Sequence, residues 1–331
     1  MADAPRAAII GCGSYVPEKV LTNHDLEAMV DTNDEWIVTR TGISERRVAA
    51  PEQAASDLAL PAAQEALEEA GLAPADLDAI VVATMTPDMN FPSTAAFLQG
   101  QLGELTCPAF DLSAACSGYV YALAQAQGMI ATGLAAHVLV VGAEALSKIT
   151  NFEDRTSCIL FGDGAGATVL AAAEPGARGE VLYTTLGADG INNNSMTLPA
   201  GGSRQPATVE SVQQKLHTIH LRGREVYNLA VRRIVEVVDE CLAACGLSKD
   251  DHIRVIAHQM NLRIMQASAE RLGTPMDQWY VNIDRYGNTG AATIPIALAE
   301  ARREGFIEPG MATVMVSFGA GLTWAGSVVQ W

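Results

Sequence analysis

The sequence predicts an α/β protein built from two copies of one half-unit. Two observations carry this expectation. Short apolar runs bounded by Gly, Pro or Asp alternate with stretches of helical periodicity. The same succession of features then returns in the second half of the chain. Of 331 residues, 49% are hydrophobic and 18% charged, which supplies a large core and excludes a disordered chain.

Taken in chain order, strands are expected at 79–83, 138–141, 168–170, 254–257 and 313–316, all short runs rich in Val, Ile, Leu and Ala. Helices are expected at 57–70, 118–132, 224–244 and 293–304. The third carries apolar residues at Val226, Ala230, Ile234, Val237, Cys241 and Cys245, steps of four and three that share one face. The repeat is specific. Ala66-Leu67-Glu68-Glu69-Ala70-Gly71-Leu72, followed by Asp76 and a strand, returns as Cys241-Leu242-Ala243-Ala244-Cys245-Gly246-Leu247, Asp251 and a strand ending at His258. Cys116-Ser117-Gly118 opening one helix matches Asn288-Thr289-Gly290 before another. Gly164-Ala165-Gly166 has its counterpart in Trp324-Ala325-Gly326. The expected halves are 1–174 and 175–331. A loop-rich insertion at 187–206, with Asn192-Asn193-Asn194 and Gly201-Gly202, is placed to cover a site.

Charge and cysteine usage narrow the function. The net charge is −17, so a general polyanion binder is excluded. Only Lys19, Lys148, Lys215 and Lys249 are lysines among 21 cationic residues, and the remaining 17 are arginines, the residue suited to bidentate anion recognition. Six cysteines do not suggest a disulfide scaffold, and no apolar run is long enough to span a membrane. Met1 to Arg6 lead into Ala7-Ala8-Ile9-Ile10-Gly11 without signal-peptide features, so a cytoplasmic setting is expected. Gly11-Cys12-Gly13 after an apolar strand suggests a nicotinamide-nucleotide loop, but the third glycine is missing and Pro17 opposes the following helix.

The chemistry centres on three positions. A buried cysteine is more often a small hydrophobe than a nucleophile. Cys116, however, follows the apolar strand Ala109-Phe110-Asp111-Leu112 and stands at a helix N-terminus, the arrangement of a nucleophile elbow. A helix end lowers a thiol pKa only modestly, so a helper base is needed. His258 ends a strand and precedes Gln259 and Asn261, where open α/β sheets bind ligands. Asn288 occupies in the second half the place of Cys116 in the first. Alone it reads as a helix cap; in a shared cavity it could donate to an oxyanion.

These residues, with Asp34-Glu35-Trp36-Ile37-Val38-Thr39-Arg40-Thr41-Gly42-Ile43, Phe161-Gly162-Asp163-Gly164, His258-Gln259-Met260-Asn261, Gly287-Asn288-Thr289 and Phe318-Gly319-Ala320-Gly321, resemble the β-ketoacyl-acyl carrier protein synthase III family of thiolase-fold condensing enzymes. The resemblance implies a thiolase fold, duplicated βαβαβαββ half-units in αβαβα layers. It implies that Cys116 takes an acyl group from acyl-CoA and that malonyl-acyl carrier protein is then decarboxylated and condensed, initiating fatty acid biosynthesis. His258 and Asn288 would hold the enolate oxygen; backbone N–H groups of Cys116 and Ala320 would hold the tetrahedral oxyanion. Thr32, Trp36, Arg40 and Arg155 would meet the nucleotide end of CoA, and Asn261 its pantetheine arm. Arg263, Arg222 and Arg224 would receive the acidic carrier protein, and Phe91 would line an acyl pocket across a homodimer interface. No cofactor or metal is implied. Core packing is the alternative for Trp36 and Phe91, and carboxylate pairing for the arginines. Gly290 for serine, Met260 for a small residue and Ala320 for glycine depart from the family pattern. A specialised synthase with an aromatic or longer primer, and a non-decarboxylating acyl transferase, are the competing activities.

Overall fold

A computed structural model describes residues 5–191 and 195–331, with the backbone alone at 223–226. Its frame is a nine-stranded mixed sheet. In chain order the strands are β1 (Arg6–Tyr15), β2 (Ala79–Ala83), β3 (Ala109–Leu112), β4 (His137–Ala145), β5 (Asp163–Ala173), β6 (Glu180–Ala188), β7 (Ile253–Ala257), β8 (Ala312–Gly319) and β9 (Thr323–Gln330). Their spatial order is β7-β8-β9-β6-β1-β5-β4-β2-β3. The expected strands are all present, but several are longer than their apolar centres. Gly164 and Gly166 continue β5 because neighbouring strands on both sides complete its hydrogen bonding.

The two sides of the sheet follow one pattern. From β1 outward, β5 and β4 are antiparallel steps and β2 and β3 parallel ones. From β6 outward, β9 and β8 are antiparallel steps and β7 is parallel, with a parallel bridge from Val255 to Trp279 where a further strand would lie. The sides meet at a single ladder pair, Ala8 with Glu180.

Seven helices matter for the site: α1 (Asp34–Thr41), α2 (Ala55–Ala70), α3 (Thr94–Leu102), α4 (Gly118–Ala131), α5 (Gly223–Ala244), α6 (Leu262–Leu272) and α7 (Thr293–Arg303). Helices α4 and α7 share a central core with strands from both sides, including Tyr119, Leu123, Ile294 and Leu298. Helix α2 covers the outer face of β2, β4 and β5, and α5 with α6 covers β7, β8 and β9. The layers therefore run αβαβα. Helix α2 packs very closely on β1: a Cβ on Gly11 would lie 2.1 Å from the Ala66 carbonyl oxygen, and one on Gly13 2.1 Å from that of Ala62. Both glycines are strand residues paired with β5, so they serve helix–sheet packing and not a nucleotide loop. Among the described residues no helix is long and apolar enough to cross a membrane.

Candidate active site

Cys116 lies in a tight 3₁₀ turn, Ala115–Ser117, between β3 and α4. The turn is strained, because Ala115 takes φ +49° in the left-handed region, a conformation costing a non-glycine residue about 1–3 kcal/mol. Gly118 then lets α4 start hard against its surroundings; a Cβ there would meet those of Ala83 at 3.0 Å and Ala291 at 3.5 Å. Cys116 is 2% exposed, and burial, reinforced by the Glu144 carboxylate, pushes its thiol up to about 12. The helix end was expected to lower this value, but loss of hydration outweighs it. At neutral pH the sulfur carries its proton, so a base is required.

His258 follows the last residue of β7 and anchors its own backbone N–H on the Val316 carbonyl at 2.8 Å. The side chain is buried; Nδ1 is 2.6 Å from Thr293 Oγ1, while Nε2 has no hydrogen-bond partner. Burial pulls the imidazole down to about 3, so it is neutral. Asn288 is pinned to the loop after α4 and β4 by two backbone bonds, its N–H to Leu160 at 2.8 Å and its carbonyl from Gly162 at 3.1 Å. Its Oδ1 accepts the Gly290 N–H at 2.9 Å, which leaves Nδ2 as the outward donor. The helix-cap reading does not hold, because Thr289 and Ala292 cap this turn and α7 without side-chain bonds; Asn288 instead closes a local turn on Gly290. The Cys116 turn packs directly against the Gly290–Ala292 turn that precedes α7.

A cavity of about 410 Å³ opens over Cys116. Ala320 and Gly321 form part of its wall, with Met85, Phe161 and Leu198. Ala320 avoids positive φ, so alanine is tolerated there. Thr323 Oγ1 bonds the carbonyls of Ala114 at 2.9 Å and Ala320 at 3.1 Å, tying the two loops together. His258 and Asn288 do not line this cavity; Phe161, bridged to Asn288, does. The insertion contributes Met196, Thr197 and Leu198 to the wall, and Gly201 and Gly202 line an adjoining space of about 710 Å³. Asn192, Asn193 and Asn194 lie outside the described residues.

The expected CoA residues partly assemble. The guanidinium of Arg40 lies 4.8 Å from the Trp36 ring centroid and that of Arg155 5.2 Å. Arg155 also donates to the Asp31 carbonyl at 2.9 Å and its carboxylate at 3.3 Å. Neighbouring Thr32 has a buried hydroxyl without a partner. Asn261 is occupied at both ends: Oδ1 caps α6 through the Arg263 N–H at 2.9 Å, and Nδ2 donates to the Arg40 carbonyl at 3.0 Å. Arg263 is exposed at the start of α6. Arg222 is exposed beside a separate recess of about 480 Å³ with Asp154 and Thr197. The Arg224 side chain lies outside the described residues. Phe91 is 83% exposed, so core packing is not its role in this chain, and it stands clear of the Cys116 cavity.

Sequence reasoning missed Glu144 and Thr293, and met Gly319 and Thr323 only as members of a motif, without a role. Fully buried Glu144 accepts from the Met85 N–H at 3.1 Å, Thr86 Oγ1 at 2.7 Å and the Ala291 N–H at 3.3 Å, and burial raises its carboxyl to about 7. A Cβ on Gly290 would sit 3.0 Å from its carboxylate, which together with φ +58° accounts for glycine at 290. A lone acidic residue inside the apolar 138–145 run was the available signal.

Residues 110–190 match the family 3-Oxoacyl-[acyl-carrier-protein (ACP)] synthase III, and 242–331 match its C-terminal counterpart. The chain is 54% identical to a beta-ketoacyl-[acyl-carrier-protein] synthase III of Caldanaerobacter subterraneus subsp. tengcongensis, over 100% of this chain and 99% of that protein. Among solved structures it is similar to 3-oxoacyl-[acyl-carrier-protein] synthase III from Aquifex aeolicus VF5, with TM-score 0.90 and 45% identity over 98% and 100% of the two chains. It is also similar to the priming beta-ketosynthase of the R1128 polyketide biosynthetic pathway, with TM-score 0.91 and 32% identity over 100% and 98%.

Proposed function

Because this chain belongs to the β-ketoacyl-acyl carrier protein synthase III family, and is thus an acyltransferase that initiates fatty acid synthesis, we propose that Cys116, His258 and Asn288 carry its two half-reactions. Cys116 attacks the thioester of an acyl-CoA primer. His258 Nε2 takes the thiol proton as the carbon–sulfur bond forms, since a thiol held near 12 and an imidazole held near 3 do not exchange a proton beforehand. Backbone N–H groups of Cys116 and Ala320 hold the tetrahedral oxyanion. Malonyl-acyl carrier protein then enters and loses carbon dioxide, and Asn288 Nδ2 with His258 Nε2–H holds the enolate oxygen. The enolate carbon attacks acyl-Cys116. Loss of carbon dioxide supplies the carbanion, so the reaction calls for no bound cofactor.

The observation that carries this reading is the pairing of the Cys116 turn with the Gly290–Ala292 turn, beside a strand end that bears a buried, unpartnered imidazole nitrogen. Trp36 with its two arginines and Thr32 supports nucleotide binding. Asn261 reaches the pantetheine arm only by giving up its bond to Arg40. Arg263, Arg222 and Arg224 form the carrier-protein surface. Exposed Phe91, and Met89 beside the 710 Å³ space, support a homodimer in which Phe91 enters the partner subunit's acyl pocket. The mirrored strand order supports halves at 1–174 and 175–331, and the protein is assigned to the cytoplasm.

Intact-mass spectrometry after incubation with a panel of acyl-CoAs tests the core of this. One acyl group should appear on wild type and none on Cys116→Ala. Acyl transfer by Cys116→Ala at the wild-type rate, or a stable acyl-enzyme that never releases carbon dioxide from malonyl-acyl carrier protein, would defeat it.

A further inference from the structure

One residue, Gly290, touches Asn288 directly and reaches His258 through Thr293. The Gly290 N–H donates to Asn288 Oδ1 at 2.9 Å, and the Gly290 carbonyl accepts from Thr293 Oγ1 at 3.1 Å. Thr293 Oγ1 in turn stands 2.6 Å from His258 Nδ1. Thr293 is 2% exposed and His258 3%, so bulk water does not compete for either.

A hydroxyl has one proton to give. Aimed at Gly290, it leaves the oxygen able to accept Nδ1–H, and two hydrogen bonds form. Aimed at Nδ1, it makes one, and the Gly290 carbonyl keeps only the backbone N–H of Thr293. In a buried site the arrangement with the additional bond is preferred.

We infer that Thr293 is a positioning residue that commits resting His258 to the Nδ1–H tautomer, leaving a lone pair at Nε2. Nε2 is buried and has no protein partner that would hold a proton there. Burial also keeps the resting ring neutral.

The inference deepens the role given to His258 above and rests on it. It fixes the origin of the N–H required in the second half-reaction. As Cys116 sulfur bonds the acyl carbon, its proton passes to Nε2. The carbon–sulfur bond to CoA breaks, and the departing thiolate takes a proton from water. Nε2–H then donates to the malonyl thioester oxygen while the bond to carbon dioxide breaks and its electron pair forms the enolate. The enolate carbon bonds the acyl carbon, the acyl–sulfur bond breaks, and Cys116 sulfur recovers the proton from Nε2. One proton from water is consumed, on CoA, and His258 ends as it began.

The test is a long-range ¹H–¹⁵N spectrum of the full-length protein labelled at histidine, joined to rapid-quench acylation measured by intact mass. Wild type and Thr293→Ser should show a protonated Nδ1 and a bare Nε2 at His258; Thr293→Val should show the reverse. Acylation should fall roughly 100-fold in Thr293→Val, the low end of what a positioned base contributes, and recover in Thr293→Ser. Carbon dioxide release by Thr293→Val enzyme already acylated should persist. A wild-type spectrum with Nε2 protonated overturns the inference, as does Thr293→Val acylating at the wild-type rate. His258→Gln is the separate control: full acylation by that variant removes the parent assignment, whatever tautomer the spectrum shows.

Discussion

Gly319 closes β8 where that strand runs against the Cys116 turn, and Gly319→Ala measures how tightly the nucleophile is held. The added Cβ would lie 2.8 Å from the Cys116 nitrogen and 3.1 Å from the Ser117 nitrogen. Both are backbone atoms, so no side-chain rotation relieves the overlap. Ordinary contact begins at 3.4 Å, so the two segments must part by about 0.6 Å (3.4 minus 2.8). Overpacking of this kind costs about 1–3 kcal/mol. Its sharper effect is on the Cys116 N–H, a proposed oxyanion donor, whose loss is worth roughly 100- to 1,000-fold in rate. Acyl-Cys116 formation, followed by time-resolved intact mass at saturating acyl-CoA, should slow by about 100-fold. The melting temperature should fall by less than about 10 °C. Acylation at the wild-type rate with an unchanged melting temperature would refute the reasoning. A large melting shift without a rate defect would show that the contact serves stability alone.

Trp36→Ala should raise the KM for acyl-CoA about 3- to 10-fold with kcat little changed, since it removes the platform on which Arg40 and Arg155 rest; a purely structural tryptophan would lower both through the folded fraction. Arg263→Glu should raise the KM for malonyl-acyl carrier protein and leave acylation by acyl-CoA untouched, with the defect shrinking at high salt. His258 makes stability depend on pH. Its folded value of about 3 lies below the usual 6.5, so the unfolded chain binds the extra proton and stability falls as pH drops from about 6.5 toward 3. Between pH 7 and pH 5 this amounts to about 2 kcal/mol, read as the difference in urea unfolding between wild type and His258→Gln; equal pH dependence in the two proteins would contradict it.

The duplicated pattern makes part of the proposed site legible in the sequence. Cys116 and Asn288 occupy matching places in two repeats, and matching turns at the heads of α4 and α7 do pack together. The protonation state was less accessible. A helix end is visible in sequence, whereas complete burial beside Glu144 depends on residues 28 positions apart (116 to 144) meeting across the sheet. Asn261 shows the same limit from the other side. Its motif was plain, but its occupation by Arg40 and by the cap of α6 follows from how α1 lands on α6, where a Cβ on Gly42 would come within 2.5 Å of Leu262 Cβ. Thr293 lay inside a predicted helix, and nothing in its spacing signalled the imidazole beside it.

The seam at Ala8 and Glu180 has a mechanical side. The nucleophile follows β3 on one flank of the sheet, while His258 and Gly319 belong to the other and Asn288 is tied back to the first through Leu160 and Gly162. Reactive distances are therefore set between two slabs that share one ladder pair, two helices and ties such as Thr323 to Ala114 and Asn261 to Arg40, much as a gap is set between the jaws of a caliper. Small sliding of one slab past the other changes that gap without breaking any strand or helix. Catalysis in this fold is accordingly a finer gauge of slab alignment than secondary structure is, and mild denaturant should extinguish acylation before circular dichroism registers a loss.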